Sequence, residues 1–193
     1  MSLRVVVGPM FAGKTSEIQR IVRRYGRLGR SVLVLTADID NRYATNAIVN
    51  HDQTALPARA VSVRGGLLDV LTWPSFAAAT AIVVDEAQFF EGCLIPFVRE
   101  AVDRHGKHVI VVGLDSDAER RPFGDVLALM AHADEIEKLT ALCLRCGDGT
   151  PAIFTRRVRG AARSAGAGPV EVGGADLYEP VCRRHFCESV VTE

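Results

Sequence analysis

The sequence lacks a surplus of charge: 23 Lys and Arg against 23 Asp and Glu in 193 residues leave a formal net charge of zero. Such a chain has no global field to hold nucleic acid by counterion release, so no nucleic-acid partner is expected and a small-molecule substrate fits better. It also lacks any apolar run near the ~20 residues that a membrane-spanning helix needs, so no membrane partner is expected. MSLRVVVGP enters a strand without the anatomy of a signal peptide, and the expected compartment is the cytoplasm. Cysteine is sparse, with five residues. In a reducing compartment so few do not read as a disulfide framework. What remains, 48% hydrophobic and 24% charged residues, is ordinary globular composition with length enough for one well-buried core and a small appendage.

Short β-branched runs alternate with helical patterns. Residues 3–7, 31–36, 60–63, 81–84 and 109–112 read as buried parallel strands, because near-continuous Val and Ile suit a strand covered on both faces. Residues 14–28, 65–79 and 91–105 read as helices, which predicts an α/β fold. Near residue 140 the alternation stops and cysteine, glycine and arginine take over. The division expected is a nucleotide-binding domain over 1–139 and a small domain over 140–193, where a metal would staple a core too small to stand alone. RRVRGAARSAGAGP, 156–169, reads as a mobile loop.

GPMFAGKT, residues 8–15, follows the first strand and opens a helix, as a phosphate loop must. Gly8 and Gly13 let the backbone curl so that successive N–H groups face a phosphate, with the positive end of the helix behind them. Lys14 is placed to reach the β- and γ-phosphates, and Thr15 to ligate Mg²⁺. The second element, AIVVDEAQFF at 81–90, ends a buried strand in two carboxylates at the sheet edge where α/β proteins bind ligands. Asp85 is assigned to magnesium and Glu86 to the general base that accepts a proton from an attacking hydroxyl. Gly8, Pro9, Met10, Phe11, Ala12, Gly13, Lys14 and Thr15, with Asp85, Glu86, Ala87 and Gln88, make up the expected ATP-binding set.

The spacing Cys143-Leu-Arg-Cys146 and Cys182-Arg-Arg-His185 suits a structural zinc ion, two close pairs filling four tetrahedral positions and leaving none for substrate. Cys187 is an alternative to His185 as fourth ligand. Cys93 reads as a small apolar residue, and Trp73 as packed at a helix end. His105, His108 and His132 read as packed or solvated, His51 is open to either role, and most of Arg156, Arg157, Arg159 and Arg163 read as a solvated face.

The ordered set GPMFAGKT, DEAQFF, GLDSDAERRPFG, the CxxC and CxxH pairs and the closing VGGADLYEPVCRRHF closely resembles the compact, zinc-bearing thymidine kinases of bacteria and animal cytosol. The resemblance runs over essentially the whole chain. It implies a RecA-like domain, a zinc-binding domain with a lasso loop, and transfer of the γ-phosphate of ATP to the 5′-hydroxyl of thymidine. It also implies feedback inhibition by thymidine triphosphate and a homotetramer or homodimer. By the same resemblance Glu86 is the base, and Met10, Phe89 and Phe123 line the thymine pocket. Tyr178 closes the lasso, the backbone at Val172 and Gly173 meets the base edge, and Arg42 lies near the phosphates.

Three departures fall near the nucleoside: Ala118 stands where the family carries an aromatic after GLDxD, His51-Asp52-Gln53 lacks a usual glycine or arginine, and VEVGG is one residue short. Losing a ring at Ala118 enlarges the pocket or loosens stacking, by about 1–3 kcal/mol if uncompensated. Three other functions compete: the same kinase chemistry on another deoxynucleoside, a nucleic-acid-stimulated ATPase with a DExQ acid pair, and a non-catalytic zinc-ribbon module.

Overall fold

A computed structural model describes residues 1–38, 47–49, 55–158 and 174–188. Arg42, His51 to Gln53, Arg159, Arg163, Val172 and Gly173 lie outside them. The strands are β1 Ser2–Val7, β2 Val32–Ala37, β3 Ala47–Val49, β4 Ala55–Pro57, β5 Arg59–Val61, β6 Ala81–Val84, β7 His108–Gly113 and β8 Glu135–Lys138, followed by β9 Ala141–Leu142, β10 Pro151–Ala152, β11 Phe154–Arg157 and β12 Tyr178–Val181. The α-helices are α1 Lys14–Arg27, α2 Gly66–Val70, α3 Pro74–Ala78, α4 Leu94–Arg99, α5 Val126–Leu129 and α6 Arg183–Cys187.

Six strands form one parallel sheet in the order β5-β2-β6-β7-β1-β8. Neighbouring residues of a strand face opposite sides, and the core divides accordingly. Val5, Leu35, Val84 and Val111 join Leu67, Phe76, Phe97 and Leu129 of α2 to α5 on one face. Val6, Val34, Val83 and Val112 meet Ile18 and Ile21 of α1 on the other. The sheet is therefore covered by helices on both sides, as the β-branched runs predict.

Three expectations change in detail. The helix expected over 65–79 is broken into α2 and α3, because Pro74 takes the first position of α3 and holds Trp73 extended at φ −74°, ψ 136°. The helix expected over 91–105 starts at Leu94, after Gly92 at positive φ, and finishes in a π-helical turn, Glu100–Arg104. β8 is a sixth strand that the hydrophobic pattern did not flag. Its sequence EIEK alternates charge with one apolar residue, as an edge strand does.

Beyond β8 the chain forms two antiparallel pairs, β9 with β10 and β11 with β12. Their core is small: Ala141, Cys143, Ala152, Phe154, Val181, Cys182 and Phe186. Arg156 and Arg157 belong to β11, opposite Glu179 and Tyr178, so the loop expected from residue 156 does not begin there. Nor is Arg156 a solvated side chain. With Arg145 it holds the buried carboxylate of Glu179, at 2.6 and 2.9 Å, and it donates to the carbonyl of His185 at 2.6 Å. Burial alone would raise the pKa of Glu179, but the two guanidiniums hold it below the ordinary carboxylate value.

Candidate functional site

The carboxyl ends of β1, β6 and β7 meet at one edge of the sheet. β1 runs out at Val7, and the chain turns through Gly8 at φ 154°, Phe11 at 65° and Gly13 at 81° before α1 begins at Lys14. At Gly8 a side chain is excluded twice, by this φ and by the Leu139 carbonyl oxygen, 2.6 Å from where a Cβ would stand. Lys14 donates through Nζ to the carbonyls of Pro9 at 2.8 Å and Gly8 at 3.2 Å. Burial pushes its pKa down, and the carboxylates of Glu86, Asp85 and Asp115 draw it back. For a lysine inside a backbone curl, the three acids that face it favour the charged form against the larger effect of burial.

Asp85 follows the last residue of β6 and is 4% exposed. Burial, reinforced by the charge of Glu86, pushes its pKa up to about 7, although the Glu86 N–H donates to its Oδ1 at 2.9 Å and Lys14 opposes the rise. A buried carboxylate held at such cost fits a cation in its vicinity. Glu86 adopts the left-handed conformation, φ 52° and ψ 39°, which takes the chain off the strand and into the short helical turn Ala87–Phe89. Its side chain is half-buried and accepts a hydrogen bond from Gln88 Nε2 at 2.6 Å. Gln88 is fully enclosed, and its Oε1 accepts from the Leu114 N–H at 3.0 Å. The amide thus ties the Glu86 carboxylate to the loop that leaves β7.

That loop contains three residues of interest. Phe123 meets Phe89 edge to face with ring centroids 5.3 Å apart, so two of the expected pocket residues do come together. Gly124 allows this approach, since a Cβ there would lie 2.2 Å from the Gln88 carbonyl oxygen. Asp115, inside the quoted GLDSD stretch but given no role from sequence, is 8% exposed. Its Oδ2 accepts from Lys138 Nζ at 2.5 Å, while its Oδ1 has no hydrogen-bond partner. Its place beyond β7, at the same edge as Asp85, was the available signal. Met10 is half-buried, and Tyr178 is buried within β12.

Cys143, Cys146, Cys182 and His185 gather one ligand atom each, all within 4.8 Å of one another. Cys146 Sγ and Cys182 Sγ are 3.8 Å apart, and His185 Nδ1 lies 3.4 Å, 3.4 Å and 3.5 Å from the sulfurs of Cys143, Cys146 and Cys182. Tetrahedral ligation with Zn–S near ~2.3 Å puts sulfurs about 3.8 Å apart, so this cluster could hold a metal of that kind. Burial opposes ionisation of Cys143, yet the N–H groups of Cys182 and Cys146 and the His185 side chain bring its thiol down to about 6. Cys187 is exposed and outside the cluster, which decides between it and His185. Cys93 is buried with Sγ 3.3 Å from the Phe90 carbonyl, as a small core residue.

A phosphate-type loop between β1 and α1, with an acid pair at the end of a parallel strand one strand away, is the architecture of phosphate-loop α/β proteins. Within that class the comparisons are specific. The family model described as thymidine kinase matches residues 1–186. The chain is 40% identical over 190 residues to a thymidine kinase of Oryza sativa subsp. japonica, covering 98% of this chain and 67% of that protein. It is 39% identical over 191 residues to thymidine kinase a of Arabidopsis thaliana, covering 96% and 74%. The chain belongs to the thymidine kinase family.

Proposed function

We propose that this protein is an ATP-dependent thymidine kinase, transferring the γ-phosphate of ATP to the 5′-hydroxyl of thymidine. The observation that carries this reading is the thymidine kinase family match across residues 1–186. The geometry supports it, with Glu86 fixed by Gln88 at the edge that also holds Lys14 and Asp85. Phosphoryl transfer demands mainly positioning and charge neutralisation. The curled backbone from Gly8 to Gly13 orients the phosphates, and Lys14 neutralises their charge. Glu86 accepts the proton of the 5′-hydroxyl, while Phe89 and Phe123, with Met10, form the wall against the base. Tyr178, and the backbone of Val172 and Gly173, complete the nucleoside site.

Thr15 and Asp85 would hold Mg²⁺, and the raised pKa of buried Asp85 fits that duty. The bound ion supplies charge neutralisation at the phosphates. Cys143, Cys146, Cys182 and His185 would hold a structural zinc ion whose binding is folding energy for residues 140–193, the second of two domains. Among the described residues no helix is long and apolar enough to cross a membrane. We place the enzyme in the cytoplasm. We place thymidine triphosphate as the feedback inhibitor and a homodimer or homotetramer as the working assembly.

The deciding experiment compares phosphorylation of thymidine, deoxyuridine and deoxycytidine with ATP at matched concentrations. Thymidine is expected to be the best acceptor. Preference for another nucleoside would reassign the substrate, and ATP turnover needing polynucleotide rather than nucleoside would overturn the kinase reading.

A further inference from the structure

β7 lies between β1, which leads into the phosphate loop, and β6, which runs into Asp85 and Glu86. The chain leaving β7 therefore emerges between the loop strand and the acid pair, and Asp115 is the second residue past its end. Asp115 is buried, and its Oδ2 accepts from Nζ of Lys138, the last residue of β8, at 2.5 Å. β7 and β8 flank β1, with Val7 opposite Gly113 on one side and Lys138 on the other. The ion pair thus passes across the end of β1, just where the phosphate loop starts. Pinned through Oδ2, the carboxylate is not free to turn its other oxygen out to water. That oxygen, Oδ1, is buried, and among the described residues no group donates to it. Lys14, whose charge Asp115 favours, gives two of its three protons to the carbonyls of Gly8 and Pro9. A buried acceptor fixed in place without a donor costs stability, and is explained when a ligand brings the donor.

We propose that Asp115 is a positioning residue for the magnesium ion that accompanies ATP, its Oδ1 accepting a hydrogen bond from a water of the ion's hydration shell. The chemistry of the ligands selects this donor. Phosphate oxygens are themselves acceptors, and a carboxylate oxygen repels them. The 5′-hydroxyl is a donor, but its proton goes to Glu86. Magnesium dehydrates reluctantly and keeps several waters, each of which can donate to a carboxylate. Asp115 then need not touch the ion, which Thr15 and Asp85 would hold; it orients the shell around it, as outer carboxylates do at metal sites. Lys138 acts one step further out, by fixing Oδ2 so that Oδ1 stays aimed. The inference rests on the reading of this sheet edge as a site for ATP with magnesium, and not on thymidine as the acceptor.

The test uses the full-length protein and calorimetric binding of a non-hydrolysable ATP analogue, with Mg²⁺ and without added divalent ion, so that the ratio of the two Kd values is the readout. Asp115→Asn keeps the shape and removes the charge, and Lys138→Met frees the carboxylate to turn. In Asp115→Asn the advantage given by Mg²⁺ should fall about tenfold, with the Kd measured without the ion inside about twofold of the parent. The Mg²⁺ concentration for half-maximal turnover should rise about tenfold while the thymidine KM stays within about twofold. Lys138→Met should lower the same advantage about threefold. A residue that only shaped the phosphate loop would weaken binding equally with and without Mg²⁺; that result, an unchanged ratio, or a parent whose analogue binding ignores Mg²⁺ would overturn the proposal. If Asp115→Asn does not fold, Lys138→Met, at a half-exposed side chain, decides by the same ratio. If the parent binds the analogue with Mg²⁺ but does not phosphorylate thymidine, the kinase reading fails, while the ratio still decides the role of Asp115.

Discussion

The sheet and the hairpins beyond it solve the same problem with different materials. The sheet buries aliphatic side chains on both faces, and helices on either side supply the partners. The hairpins have a core of a few side chains, two of which are the thiols Cys143 and Cys182. Beside them sits a buried carboxylate, Glu179, between two guanidiniums. Area buried scales with size, so the larger part holds itself together by burial, while the smaller needs point attachments. The lesson is that damage to the two parts should differ in kind as well as in amount.

The largest separation is expected on metal removal. Structural zinc contributes ~10–16 kcal/mol in small zinc-dependent units. A strong chelator, or Cys146→Ser, should therefore unfold the hairpins and leave the parallel sheet. Hydrogen exchange would show this as lost protection in β9 to β12 with β1, β6 and β7 unchanged; uniform loss would mean that the parts stand or fall together. In the helical layer over the sheet, Phe97→Ala in α4 should cost ~3–5 kcal/mol, with zinc content retained. Glu86→Gln should slow turnover by about 10²–10⁴ with little change in Tm or in ATP-analogue binding. Near-parent turnover would remove Glu86 from the role of base.

Glu179→Gln should cost about 3 kcal/mol, since both guanidiniums lose their carboxylate. The pKa of Glu179 is lower in the folded protein than the ordinary 4.5, so its contribution is full above that pH and is lost as pH falls through the folded value. The stability gap between parent and variant should narrow on acidification, and a gap that widens would reverse the assignment. Smallest of all, Arg121→Ala removes exposed pairs to Asp117 and Glu119 and should move stability by no more than ~1 kcal/mol.

The same contrast governs how much could be read from sequence. β1, β2, β6 and β7 announce themselves as near-continuous aliphatic runs because both their faces are buried. β8 does not, since an edge strand dilutes Ile136 with Glu135, Glu137 and Lys138. The phosphate loop, the acid pair and the metal cluster were legible because their spacing is local. Phe89 and Phe123, which meet edge to face, were named only through family resemblance. Gln88 as the support of Glu86, the buried Oδ1 of Asp115 without a hydrogen-bond partner, and the bond from the Met10 N–H to the Thr155 hydroxyl were not legible as such. Each depends on which loops the fold brings together, and no period or short motif encodes that.

Gly8 makes one of these approaches irreversible for anyone who would re-engineer the chain. Its backbone passes so near the Leu139 carbonyl that a Cβ would stand 2.6 Å from the oxygen, and the Leu139 N–H donates to Val7 at 2.8 Å. The most tempting place to cut the chain, between the sheet and the hairpins, is thus the wall behind the start of the phosphate loop. A split protein, a circular permutant or a domain graft that separates residue 139 from the sheet would remove that wall, so swapping modules between relatives should work only when Leu139 stays with the phosphate loop that it backs and all four residues of the metal cluster stay together.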